Sequence, residues 1–168
     1  VIDGDNSTAL GYENSVASTK SVAIGDNNTI KIVEKDGNGQ YAFAFGSQNN
    51  LKASGAMAIG KENIIERTAQ KGLVIGHNNT IDDDKSSATS SAENSMAIGY
   101  GNHVYAKNAI AIGIGARATE ENTVSFGNAR EKTYMRLVNI ADGTGDHDAA
   151  TVGQVKDVVG DIKQLNSD

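Results

Sequence analysis

The 168-residue chain contains no cysteine, no proline and no tryptophan, and only three Phe and five Tyr. Without cysteine there are neither disulfides nor thiolate-metal sites. Without proline no strand is broken by a missing backbone donor. With so few large side chains, the apolar content sits in Ala, Val and Ile, which suits a thin, flat core. No apolar run approaches the roughly 20 residues that a membrane-spanning helix needs. Lys and Arg are not clustered: the net charge is -6 with acids and bases interspersed, which excludes a surface built to hold nucleic-acid phosphates. The opening Val1-Ile2-Asp3-Gly4 has no signal-peptide character, and the chain reads as a piece of a longer protein.

Glycine and asparagine are abundant, and their placement is periodic. Eight times a short apolar stretch runs into a glycine, most clearly in Ser21-Val22-Ala23-Ile24-Gly25-Asp26-Asn27-Asn28. The glycines fall at 11, 25, 46, 60, 76, 99, 113 and 127, separated by 14, 21, 14, 16, 23, 14 and 14 residues. A 14-residue period is too short for a helical hairpin and right for two short strands and two turns per coil. The spacing therefore predicts an all-β, parallel β-roll of 14-residue coils.

Apolar residues recur one before each glycine and three before it in all copies but the first, which has Thr8, as in Val22 and Ile24 or Met57 and Ile59. They share one face of a strand. Between them the opposite face carries Ala9, Ala23, Ala44, Ala58, Ala97 and Ala111, with Val74 and Ser125 as exceptions. Both faces are apolar, so both are expected to be buried, one inside the coil and one against a neighbour. The alanine row is a flat stripe of small side chains, and covering it with two further copies of the chain removes it from water at about 25 cal/mol per Å². It is the expected trimer face of the roll. After each glycine come Asn14, Asn28, Asn49, Asn63, Asn79 and Asn102, with Ala116 in the last full copy. Gly and Asn tolerate positive φ and are expected at the corner, with the carboxamides bonding from coil to coil.

Three insertions break the period. Lys31 to Tyr41 surrounds Asp36-Gly37-Asn38-Gly39 and predicts a projecting hairpin. Asp82 to Asn94 is Asp- and Ser-rich and predicts a loop. Two extra residues near Glu66 to Lys71 widen a turn. Beyond Gly127 the repeat stops. From Thr151 the spacing is helical, with Val155, Val158, Ile162 and Leu165, or alternatively Val152, Val155, Val159 and Ile162, along a coiled-coil seam.

The Ser-Val-Ala-Ile-Gly copies resemble the YadA-like head of trimeric autotransporter adhesins. Arg136-Leu137-Val138-Asn139-Ile140-Ala141-Asp142-Gly143, followed by Asp148-Ala149-Ala150-Thr151-Val152-Gly153-Gln154-Val155, resembles the neck joining such a head to its stalk. The resemblance implies a homotrimer of left-handed parallel β-rolls over residues 1–127, a neck over 128–152 in which the chains exchange partners, and the start of a coiled-coil stalk over 153–168. Val138 and Ile140 in the neck, and Val155 and Ile162 in the stalk, are then trimer contacts. It also implies a Gram-negative cell surface, an outer-membrane anchor C-terminal to this piece, and host ligands such as collagen, laminin, fibronectin or a carcinoembryonic-antigen-type receptor.

Catalytic and cofactor chemistry find no support. Gly113-Ile114-Gly115-Ala116-Arg117-Ala118 matches a dinucleotide fingerprint but leads into another strand rather than a helix. The Asp82-Asp83-Asp84 run and Asp142, Asp146 and Asp148 lack the ligand spacing of a calcium loop. His77, His103 and His147 are dispersed, and no Ser sits in a nucleophile elbow. Neither cofactor nor metal is expected. The alternatives to an adhesin head are a structural spacer and a repeat-roll enzyme; the insertions argue against the first, and the 14-residue period and scattered histidines against the second. Recognition is expected on the insertions, with Val33, Tyr41, Lys31, Glu34 and Lys35 on the hairpin and Asp82, Asp83 and Asp84 on the loop, because loops on a rigid scaffold carry binding.

Overall fold

A computed structural model describes residues 1–32, 41–82 and 91–166. It divides into two units, Val1–Met135 and Arg136–Asp168.

The first unit is a parallel β-roll. Long strands Thr8–Tyr12, Val22–Asp26, Phe43–Ser47, Met57–Lys61, Leu73–His77, Met96–Tyr100 and Ile110–Ile114 stack with Val124–Ser125 into one sheet in chain order. Two-residue strands Ser15–Val16, Thr29–Ile30, Asn50–Leu51, Ile64–Ile65, Thr80–Ile81, His103–Val104 and Arg117–Ala118 form the second. All pairings between these strands are parallel, and equivalent repeat positions lie side by side: Gly25 beside Gly46, Gly46 beside Gly60, Gly76 beside Gly99. The insertions therefore leave the register intact.

The glycine is obligatory for backbone reasons. Gly60 has φ +130°, and a Cβ there would lie 1.9 Å from the carbonyl oxygen of Gly76 in the next coil. The second corner departs from expectation. Left-handed φ falls on the residue before each recurrent Asn, at Glu13, Asn27, Gln48, Glu62 and Asn78, with Gly101 and Gly115 in the later coils.

The recurrent asparagines turn inward and build a ladder. Asn28 Nδ2 donates to Asn14 Oδ1 at 2.9 Å and to the Gly46 carbonyl at 2.8 Å, while Asn28 N donates to the same Asn14 Oδ1 at 3.0 Å. Asn49, Asn63 and Asn79 repeat the pattern, and Asn102 Oδ1 ends it by accepting from Ala116 N at 2.8 Å. Asn28, Asn49, Asn63, Asn79 and Asn102 have no exposed surface. Buried amides are tolerated here because each has partners in adjacent coils.

Which strand face lies inside is the principal correction. Ala23, Ala44, Ala58, Ala97 and Ala111 are fully buried within the single chain, with Ala9 packed against the same core. They face Val16, Ile30, Leu51, Ile65, Ile81 and Val104 from the short strands. A 14-residue coil is so narrow that one large side chain per level fills it, and the long strand opposite has room only for a small one. Each fully buried Ile or Leu contributes about 1.5–3 kcal/mol relative to exposure. The alanine stripe is roll interior and is not available to a second chain.

In the second unit the helix Val152–Leu165 starts at a capping box: Thr151 Oγ1 accepts from Gln154 N, and Gln154 Oε1 accepts from Thr151 N. Gln154 also brackets Gly143, accepting from its N–H at 2.9 Å and donating to its carbonyl at 2.8 Å. Asp148 accepts from the N–H groups of Gly145 and Thr144, which hold its carboxyl below the usual range. No helix among the described residues is long and apolar enough to cross a membrane.

Candidate functional site

Val33, Glu34, Lys35, Asp83 and Asp84, with most of both predicted insertions, lie outside the described residues. Of the remaining predicted ligand contacts, Lys31 is exposed and donates its backbone N–H to the Leu51 carbonyl. Tyr41 is 55% exposed; Lys20 Nζ lies 5.2 Å above its ring and donates to its hydroxyl at 3.3 Å. A cleft of about 280 Å³ runs beside this pair, lined by Val22, Phe43, Ala56 and Met57. Asp82 sits half-buried at the end of its strand, its N–H bonded to the Val104 carbonyl.

With the alanines inside, the residues three and one before each glycine face outward. Leu10, Phe45, Met57, Ile59 and Ile75 are exposed, with Phe45 at 48% and Ile75 at 39%; Val22, Ile24, Phe43, Leu73, Ile98 and Ile112 are half-buried beside them. This is a continuous apolar face along the long-strand sheet, of a size that an isolated soluble roll does not display. In the second unit Val138, Ile140, Val155 and Ile162 are exposed in the single chain as well.

The short-strand sheet looks outward through Ser15, Thr29, Asn50, Ile64 and Thr80, until its last two strands set His103 beside Arg117. The Arg117 guanidinium lies 4.2 Å above the Tyr105 ring, and Arg117 Nη1 donates to the Tyr105 hydroxyl at 3.1 Å. That hydroxyl lies 3.2 Å from His103 Nδ1, and the two rings are stacked with their planes 5° from parallel. In the sequence His103 is one of three dispersed histidines, and nothing there ties it to Tyr105 or Arg117. Their spacings of 2 and 12 residues become a cluster only through the coil-to-coil register.

Burial, and then the Arg117 charge, push the His103 pKa below its ordinary 6.5, with Glu131 opposing. The unfolded chain therefore binds this proton first, so the contribution of His103 to stability is complete above about pH 6.5 and is lost as pH falls through the window beneath it. The fall in melting temperature between about pH 7.5 and about pH 5 should be smaller in His103→Gln than in the parent. Equal falls in the two proteins would refute this. On the opposite edge His77 Nε2 lies 3.1 Å from Glu62 Oε2, and that contact, followed by the one from Lys61, holds the Glu62 carboxyl below its usual value.

Residues 3–28, 86–102 and 105–129 match the YadA head domain repeat, in two copies. At these segments the roll is similar to a YadA head. The stretch between the matched segments carries the widened turn, all of the first long insertion and the start of the second, yet its strands Phe43–Ser47, Met57–Lys61 and Leu73–His77 continue the same ladder. No match is found among curated proteins. YadA heads belong to a non-enzymatic, adhesin-type family of outer-membrane-anchored surface proteins.

Proposed function

We propose that the chain is the trimeric, non-catalytic head of a surface adhesin that attaches a Gram-negative cell to a host protein such as collagen, laminin, fibronectin or a carcinoembryonic-antigen-type receptor. The observation that carries this reading is the YadA head repeat, joined to an outward apolar face that needs a partner along the whole long-strand sheet. Two further copies cover that face, with Ile59, Ile75 and their equivalents toward the common axis. Val138, Ile140, Val155 and Ile162 continue the contact through neck and stalk. The short-strand sheet remains outside, so three equivalent lateral surfaces are presented on one head, and weak contacts sum to firm attachment.

Recognition is assigned to the insertions, the better one being Lys31 to Tyr41, where Tyr41 and the adjoining apolar cleft supply an anchor beside Lys20. Excising residues 33–40 and closing the coil with Gly-Asn should leave the trimer assembled and lower attachment to an immobilised host protein by about tenfold or more, the loss typical of removing an anchoring cluster. A solid-phase assay over the four ligand types reads this directly. Undiminished attachment moves the site to the repeat faces, and binding to none of the four removes the host-protein reading.

A further inference from the structure

Among the described residues, the last of the short strands carries a cation that is positioned and in no ion pair. The ion pairs among the described residues occupy Lys52 with Glu66, Lys61 and His77 with Glu62, and Lys71 and Lys107 with Glu93. Arg117 is in none of them. Its guanidinium is held flat on Tyr105 and tied through Nη1 to the Tyr105 hydroxyl, which leaves the other N–H edge directed away from that bond. An arginine oriented in this way has lost little further entropy to a planar, two-oxygen partner. The Tyr105 hydroxyl accepts from Arg117 Nη1 and lies 3.2 Å from His103 Nδ1; with the hydroxyl as donor in that contact, the imidazole proton sits on Nε2 as a further donor.

The surroundings select among anions. Glu120 and Glu121 follow Arg117 in the next turn, Glu131 acts on His103, and Asp82 donates its N–H to the Val104 carbonyl, one residue before Tyr105. These carboxylates repel a polyanion more strongly than a single carboxylate, because the repulsion grows with the charge on the ligand. Thr80, in register with His103, and Thr119 supply neutral hydroxyls for a polar frame around that carboxylate.

We propose that Arg117, Tyr105 and His103 form a subsite for a singly charged acidic sugar of the sialic-acid class, its carboxylate on the free edge of Arg117 and its hydroxyls toward His103 Nε2 and the neighbouring threonines. The proposal goes beyond protein recognition and shares with that reading only the exposure of the short-strand sheet.

The trimeric head is passed over immobilised sialyllactose and lactose conjugates. Binding to the sialylated conjugate alone is expected, reduced about tenfold by Arg117→Lys, which keeps the charge and loses the planar fork, and reduced less by Tyr105→Phe, which keeps the ring and frees the guanidinium. Thermal melting of both variants establishes that the roll is intact, and Tyr105→Phe serves if Arg117→Lys does not fold. Equal binding to the two conjugates, stronger binding to heparin or to an acidic peptide, or full binding by both variants overturns the subsite. A head that binds a host protein and no sialylated conjugate overturns it while leaving the adhesin reading in place.

Discussion

A head carrying both Ile59→Asp and Ile75→Asp should sediment as a folded monomer. Both side chains project from the long-strand sheet into the apolar face and are 36% and 39% exposed in the single chain, so aspartate is compatible with the isolated roll. In a trimer closed over that face, the two substitutions place six carboxylates without counter-ions in an apolar interface. Each uncompensated buried charge costs about 3–5 kcal/mol, which exceeds what the remaining contacts of a narrow interface sustain. Sedimentation equilibrium separates the outcomes, and a trimer of parental stability would refute the assignment of this face. Ala58→Glu provides the contrast. Ala58 has no exposed surface within one chain, so the larger, charged side chain breaks the roll itself, and circular dichroism should show lost strand structure rather than a clean change of oligomeric state.

Asn63→Leu should destabilise the roll by about 4 kcal/mol or more per chain, because a stranded buried polar group costs about 1–3 kcal/mol and several are stranded together. Asn63 Nδ2 donates to Asn49 Oδ1 at 2.9 Å and to the Gly76 carbonyl at 2.8 Å. Its Oδ1 accepts from Asn79 N and Asn79 Nδ2, both at 3.1 Å. Leucine keeps the branched shape with a somewhat larger volume and removes every one of these bonds, leaving the Asn79 N–H and the Gly76 carbonyl enclosed. Asn63→Asp retains the acceptor and loses the donor, and should fall between the parent and leucine. Guanidinium unfolding followed by circular dichroism measures the series; leucine within about 1 kcal/mol of the parent would show that the ladder is not the stabilising element claimed.

The asparagines illustrate how much of the structure is legible in sequence and where legibility stops. Their recurrence after each glycine locates a corner, and the bonding from coil to coil follows from the period. Their burial does not follow. Asparagine at a turn is ordinarily read as the residue with positive φ, yet Glu13, Gln48 and Glu62 take that conformation here. The chain turns one residue earlier than composition suggests, and the Asn enters the core because stacked neighbours satisfy it. The His103–Tyr105–Arg117 cluster was illegible for a related reason: its members belong to adjacent coils, and only the strand register of His103 against Arg117 brings them together.

The sequence by itself determined the period, the two strands per coil, the register that survives three insertions, and the helix whose apolar spacing begins after Thr151. A glycine that admits no Cβ and an apolar alternation of period two leave few other solutions. Only the tertiary structure decided which apolar face lies inside. Alternation specifies two faces and does not rank them; the ranking comes from the space between the sheets, where Ile30, Leu51, Ile65 and Ile81 already fill each level and only alanine fits opposite. The larger Val, Ile, Phe and Met side chains of the long strands are excluded from the interior by volume, and that exclusion is what turns them into the face another chain must cover.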